Sequence, residues 1–113
     1  MNNIQVSEQL KRVTILTLRD RLDAFNASTA REQVDQLLQG GATHFAVDLS
    51  EITFMDSAGI AVLVNLLKRT RQIGGGVKLV RSTNPAALRL LQLTKFDQIF
   101  EMFDTAEEAV KAF

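Results

Sequence analysis

Residues 45–67 read FAVDLSEITFMDSAGIAVLVNLL, and this stretch decides the fold because it joins a buried strand to a long apolar helix. Residues 45–49 are short and almost wholly apolar, which is typical of a buried strand. Residues 50–56 are predicted to form a loop. Residues 60–67 are apolar and lead into cations at positions 68, 69 and 71, which favour the carbonyl end of a helix dipole. A strand followed by a helix in this way is the repeating unit of an α/β fold.

The flanking sequence repeats this alternation of strands and helices. Strands are predicted at residues 13–18, 77–80 and 99–103, with an edge strand near residues 4–6 and a charged connection at residues 19–25. Helices are predicted to open near Thr29 and Thr105, which have capping-box spacing to Glu32 and Glu108, and at Asn84-Pro85. We therefore expect one α/β domain over residues 1–113. It should hold a four- to five-stranded, mainly parallel (mixed) sheet with about four helices.

The composition excludes most kinds of chemistry. The 113 residues carry 13 basic and 13 acidic side chains, so there is no surplus of positive charge for direct nucleic-acid binding. There is no cysteine, one histidine and no phosphate-binding glycine loop. We therefore expect no enzymatic activity, no cofactor or metal, and no small-molecule ligand such as a nucleotide.

The sequence also bears on where the protein works. No apolar run approaches the roughly 20 residues of a membrane span, and the first residues lack the pattern of a signal peptide. We therefore expect a cytoplasmic chain with no membrane span.

The entry to the central helix is the most informative segment. Ser57 stands just before the apolar run, which predicts a helix N-cap. Gly59 costs about 1 kcal/mol relative to alanine in the first turn, which indicates a close approach to its backbone by a partner or by tight internal packing. A helical wheel places residues 60, 63, 64 and 67 toward the core. The remaining apolar positions are predicted to form a docking surface: Ala58, Ala61, Val62 and Leu66.

Phosphorylation of Ser57 is predicted to switch that surface. A phosphoryl group adds about −1.5 to −2 charges, and the helix N-terminus can accommodate them without loss of the fold. Beside Asp56 and an apolar surface, the new charge repels an acidic partner and costs an apolar partner desolvation energy. The residues thus predict that the chain keeps its fold when Ser57 is phosphorylated but no longer binds its partner.

Residues 47–59, VDLSEITFMDSAG, resemble the signature of the STAS family, in particular of bacterial anti-sigma factor antagonists. The resemblance extends over nearly the whole chain. It implies that Ser57 is phosphorylated by a partner that is both anti-sigma factor and serine kinase, and that a serine phosphatase resets the cycle. It also implies that Asp56 neighbours the acceptor, and that Asp23, which corresponds to the aspartate of the family's Arg/Glu-Leu-Asp motif, lies near the same surface. We therefore expect the following residues to bind the partner: Asp23, Asp56, Ser57, Ala58, Gly59, Ala61, Val62 and Leu66.

Two residues depart from the family pattern. Ala58 replaces a second serine that is common in the family, which leaves Ser57 as the single candidate acceptor. Asp20 stands where the family usually has glycine, which indicates an altered connection at residues 19–25. The resemblance also leaves open a STAS scaffold subunit of a stress-sensing complex or of a lipid or anion transport system, in which the serine only caps the helix.

Overall fold

The computed structural model of the chain describes residues 3–8 and 12–113. The elements follow one another as β1 Ile4–Glu8, β2 Val13–Leu22, α1 Ala27–Gln39, β3 His44–Met55, α2 Ser57–Gln72, β4 Gly76–Val80, α3 Pro85–Leu93, a short 3₁₀ turn Phe96–Gln98, β5 Glu101–Phe103 and α4 Ala106–Lys111. The strands form one sheet in the order β1-β2-β3-β4-β5. Strand β1 is antiparallel to β2, and the other neighbouring pairs are parallel. The predicted mixed, mainly parallel sheet with about four helices is confirmed.

Strand β3 lies at the centre and is covered on both faces. Phe45 and Val47 belong to the larger hydrophobic cluster, together with residues of α1, α2 and α3. Ala46 points the other way and packs in a smaller cluster with Ala109 of α4. A parallel strand covered on both faces is apolar at consecutive positions, which explains the unbroken apolar run at residues 45–47.

The two strands that lead to the helix entry are longer than predicted. Loops are predicted at residues 19–25 and 50–56, but β2 continues to Leu22 and β3 to Met55. Both connections are therefore shorter than predicted, at residues 23–26 and at Asp56 alone. Beyond the Asp48–Val80 pair, β3 has no further pairing with β4 and lies beside β2 alone. This two-stranded extension is partly exposed to solvent, and it mixes exposed polar residues with buried apolar ones.

Asp20 lies at an irregularity in this extension. The register between β2 and β3 shifts on both sides of it, and Asp20 has φ +66°. The hydroxyl of Thr53 donates a hydrogen bond of 2.8 Å to the Asp20 carbonyl. Glycine occupies this left-handed conformation without steric cost, and aspartate is among the few other residues that tolerate it. The departure from the family pattern thus falls on a position whose backbone favours glycine.

Outside α2, two of the three predicted helix starts are confirmed. Asn84 and Thr105 cap α3 and α4 through their side chains, as predicted. Helix α1 begins at Ala27, and the predicted Thr29 capping box is wrong. Its first turn is set instead by Asp23, whose carbonyl accepts the N–H of Ala27 at 2.9 Å. Within residues 3–8 and 12–113, no helix combines the length and apolar character that crossing a membrane requires.

Candidate functional site

Asp56, and not Ser57, caps helix α2. Asp56 has an extended backbone, and its Oδ1 accepts the N–H groups of Ala58 at 2.9 Å and Gly59 at 3.1 Å. Ser57 is the first residue of the helix, and its side chain is exposed. The prediction that Ser57 is the N-cap is therefore wrong. The Ser57 hydroxyl carries none of the hydrogen bonds that cap α2.

The same carboxylate holds the loop between β2 and α1. Asp56 Oδ2 accepts the N–H of Ala24 at 3.1 Å, while the N–H of Asp56 donates to the Leu22 carbonyl at 3.4 Å. Asp56 thus joins the start of α2 to residues 23–26, which we call the first loop. Any change at Ser57 occurs directly beside this junction.

Asp23 organises the first loop from within. Its side chain is nearly buried, with the residue 3% exposed. Asp23 Oδ2 accepts a 2.7 Å hydrogen bond from Arg21 Nε, and Oδ1 accepts the N–H groups of Phe25 at 3.0 Å and Asn26 at 3.3 Å. The Arg21 guanidinium lowers the pKa of Asp23 most strongly; burial opposes this, and the two backbone N–H groups add to it.

This burial corrects one partner-binding prediction. Asp23 lies in the loop that Asp56 holds, close to the predicted surface, but its carboxylate is used inside the loop. Asp23 therefore shapes the surface and offers a partner little side chain to contact.

Gly59 is explained by internal packing. It is buried, and a Cβ built on it would lie 2.2 Å from the carbonyl oxygen of Leu22. The helix therefore crosses the end of β2 at a distance that only glycine permits. Of the two explanations that the sequence left open, tight packing accounts for Gly59, which is removed from the partner-binding residues.

Val62 and Leu66 do not lie on an exposed surface, and this part of the predicted docking surface is wrong. They are 4% and 1% exposed and face a small apolar space that is also lined by Ala30 and Val34 of α1. Helix α2 packs against the sheet on one side and against α1 on a second side, so two of its sides are buried and not one. The helical wheel predicted which side of α2 faces the sheet, but it placed in solvent the side of α2 that contacts α1.

The remaining small residues and two aromatic residues form the accessible surface here. Ala61 is exposed and Ala58 is half-buried. Phe25, in the first loop, is 92% exposed, and Phe54 is partly exposed with the Arg21 guanidinium 4.6 Å from its ring centre. Sequence reasoning missed both rings because it placed them in connections. A large aromatic residue among small and polar loop residues is the signal that identifies Phe25.

The chain is similar to known proteins in sequence and in fold. The family model of the STAS domain matches residues 5–109. An anti-sigma F factor antagonist of Paenibacillus polymyxa is 30% identical over 110 residues, which cover 96% of this chain and 93% of the relative. The crystal structure of a Thermotoga maritima protein, named as a candidate anti-sigma factor antagonist, matches with a TM-score of 0.88 and 32% identity over 96% of this chain and 92% of that chain.

A more distant likeness concerns the fold alone. The anti-sigma factor antagonist SpoIIAA in its unphosphorylated form has a TM-score of 0.76 at 20% identity, over 96% of both chains. The phosphorylated form of SpoIIAA, from Bacillus, has a TM-score of 0.75 at 19% identity, over 96% of this chain and 97% of that chain.

Proposed function

Because the chain belongs to the STAS domain family and is related to its anti-sigma factor antagonists, we propose that phosphorylation of Ser57 controls its binding to an anti-sigma factor. The unphosphorylated chain binds an anti-sigma factor that is also a serine kinase, and the phosphorylated chain releases it until a serine phosphatase resets the cycle. Proteins of this class regulate by binding and are not enzymes. The observation that carries the proposal is the exposed Ser57 hydroxyl, which is free of the capping role that Asp56 performs.

The first requirement of the switch is that the fold survives phosphorylation. The helix dipole favours negative charge at Ser57, and no hydrogen bond that caps α2 is lost when its hydroxyl is esterified. The N–H groups of Ala58 and Gly59 remain bound to Asp56, so the phosphoryl group stays at the surface beside that carboxylate. In SpoIIAA, the phosphorylated and unphosphorylated forms both have this fold, which supports the same tolerance here.

The second requirement is that the partner is repelled. The surface beside Ser57 includes the small apolar side chains of Ala58 and Ala61, which allow a partner's backbone to approach closely. A dianionic group in such an interface loses its hydration without gaining a cationic partner, which costs free energy. Phosphorylation therefore acts on the complex and leaves the free chain folded.

Mapping the site of phosphorylation tests the proposal. Each anti-sigma factor kinase encoded in the source genome is purified and incubated with this chain and Mg-ATP, and the phosphate is located by peptide mass spectrometry. We expect phosphate on Ser57 with at least one kinase, no labelling of Ser57→Ala, and full labelling of Ser28→Ala. Ser28 is the matched control because it is also exposed in the first turn of a helix, α1. Labelling of Ser57→Ala at the wild-type rate, or no labelling by any kinase, contradicts the proposal.

A further inference from the structure

Phe25 is an exposed aromatic residue at an unusual place. Of the large hydrophobic residues within residues 3–8 and 12–113, it is the most exposed, at 92%. Single exposed apolar residues are common and need no explanation by themselves. What sets Phe25 apart is the order of the backbone that carries it and its position next to Ser57.

The backbone at Phe25 is held by several hydrogen bonds. Its N–H donates to Asp23 Oδ1, and the carbonyl of Asp23 accepts the N–H of Ala27 at 2.9 Å. Asn26 closes the loop from the other side, because its Oδ1 accepts the N–H of Asp23 at 2.9 Å and its Nδ2 donates to the Arg21 carbonyl at 2.7 Å. An aromatic side chain on an ordered backbone loses little conformational entropy when it binds, which favours its use as an anchor.

The first loop and Ser57 lie on the same edge of the sheet. Leu22 and Met55 are paired neighbours at the ends of the parallel strands β2 and β3, so both connections leave the sheet at one edge. The N–H of Ala24 then binds Asp56 Oδ2, one residue before Ser57. The surface that carries the candidate phosphorylation site is therefore continuous with the surface that presents Phe25.

We propose that Phe25 is an apolar anchor of the complex and inserts into an apolar pocket of the anti-sigma factor, beside the residues that contact Ser57. This inference rests on the proposed function, since it names a contact of the same partner. The ring supplies buried apolar area, and the neighbouring exposed Ala24 leaves room for the rim of the pocket. Asp56 and Asp23 hold the backbone of the loop that carries Phe25. In this proposal the Phe25 ring itself makes the contact with the pocket.

The test is a titration of Phe25 variants with a purified anti-sigma factor kinase that binds the wild-type chain. ADP replaces ATP so that Ser57 stays unmodified. The matched control is Ile73→Ala, which truncates an apolar residue that is 53% exposed. Ile73 follows the last residue of the 16-residue helix α2, which begins at Ser57 and is about 24 Å long. We expect Phe25→Ala to weaken binding at least ten-fold, Phe25→Leu to keep most of the affinity, and Ile73→Ala to stay within two-fold of wild type.

The melting temperatures of these variants should match wild type, because an exposed ring contributes little to folding. Phe25→Ala that binds within two-fold of wild type overturns the anchor. If phosphorylated chain fails to bind while Phe25→Ala binds normally, the proposed function stands and only the anchor falls. If Phe25→Ala loses binding while phosphorylated chain binds normally, the anchor stands and the switch falls. Failure of wild type to bind any of the kinases overturns both.

Discussion

Gly59→Ala should destabilise the protein, although alanine is the better helix former. Gly59 lies in the first turn of α2, where its Cα faces the end of β2. The added Cβ would stand 2.2 Å from the carbonyl oxygen of Leu22 and 2.9 Å from its Cγ. The first of these atoms is backbone and cannot move away without disturbing the β2–β3 pair that ends at Leu22 and Met55.

The expected size of the effect follows from two opposing contributions. Overpacking a close contact costs typically 1 to 3 kcal/mol, and a clash with backbone belongs at the upper end of that range. Replacing glycine by alanine within a helix stabilises the helix by about 1 kcal/mol, which offsets part of this cost. The free energy of unfolding should therefore fall by about 2 kcal/mol. For a domain of 113 residues this corresponds to a melting temperature lower by about 8 °C.

Thermal and urea unfolding, followed by circular dichroism, measure this difference. Gly40→Ala is the matched control, because its Cβ would make ordinary contacts of 3.4 and 3.5 Å at the end of α1, with φ −77°. We expect Gly40→Ala to unfold within about 0.5 kcal/mol of wild type. A Gly59→Ala variant that is as stable as Gly40→Ala, but fails to bind an anti-sigma factor, would refute the packing explanation and return Gly59 to the partner-binding residues.

Three further predictions concern the aspartates around the site. Asp20→Gly should raise the free energy of unfolding by about 0.5 kcal/mol, because glycine removes the strain at φ +66°; a urea midpoint equal to or below that of wild type would contradict this. Asp56→Ala should lower it by about 1 to 2 kcal/mol through loss of the α2 cap, whereas Asp56→Asn keeps an amide oxygen for the cap and should lose less than about 0.5 kcal/mol; equal losses in the two variants would argue against capping. The pKa of Asp23 is lowered in the folded chain, so its contribution to stability is present above the unfolded pKa of about 3.9 and is lost as the pH falls through the folded value. Asp23→Asn should therefore lose less stability than wild type as the pH falls through the acidic range, and parallel curves would show that Asp23 has no such role.

The sheet was predictable where strands are covered on both faces. The runs at residues 45–49 and 77–80 are apolar because helices cover both sides of the sheet there, and the structure places strands at both. The extension of β2 and β3 was not predictable from pattern, because charged and polar residues interrupt its apolar positions, as they do in a loop. The C-terminal end of β3 at Met55 determines where α2 begins and hence where Ser57 lies.

The position of Ser57 was predictable, but its immediate role in the fold was not. The sequence FMDS offers two adjacent capping residues, Asp56 and Ser57, and only the backbone conformation decides which of them caps. The docking surface was half wrong for a different reason. A helical wheel describes one helix, whereas the burial of Val62 and Leu66 comes from α1, whose placement depends on the whole fold.

Phe25 shows the opposite case, in which a functional candidate carries no periodic signal. It lies outside every strand and helix, and its exposure follows from how Asp23 and Asn26 bend the first loop. The sequence marks Phe25 as an aromatic residue among small and polar neighbours, but its exposure becomes known only with the loop conformation. The sequence pattern therefore predicts the frame of the site better than the surface that a partner meets.

The measurement that tests the account most directly compares the affinity of one purified anti-sigma factor kinase for the chain with and without phosphate on Ser57. An unpaired charge buried in an interface costs about 2 kcal/mol or more, so the phosphorylated chain should bind at least about thirty-fold more weakly. Its circular dichroism spectrum should match that of the unmodified chain, and Ser57→Ala should bind like the unmodified chain. Equal affinities for the two forms, or a phosphorylated chain that has lost its folded spectrum, would contradict control by surface charge at the start of α2.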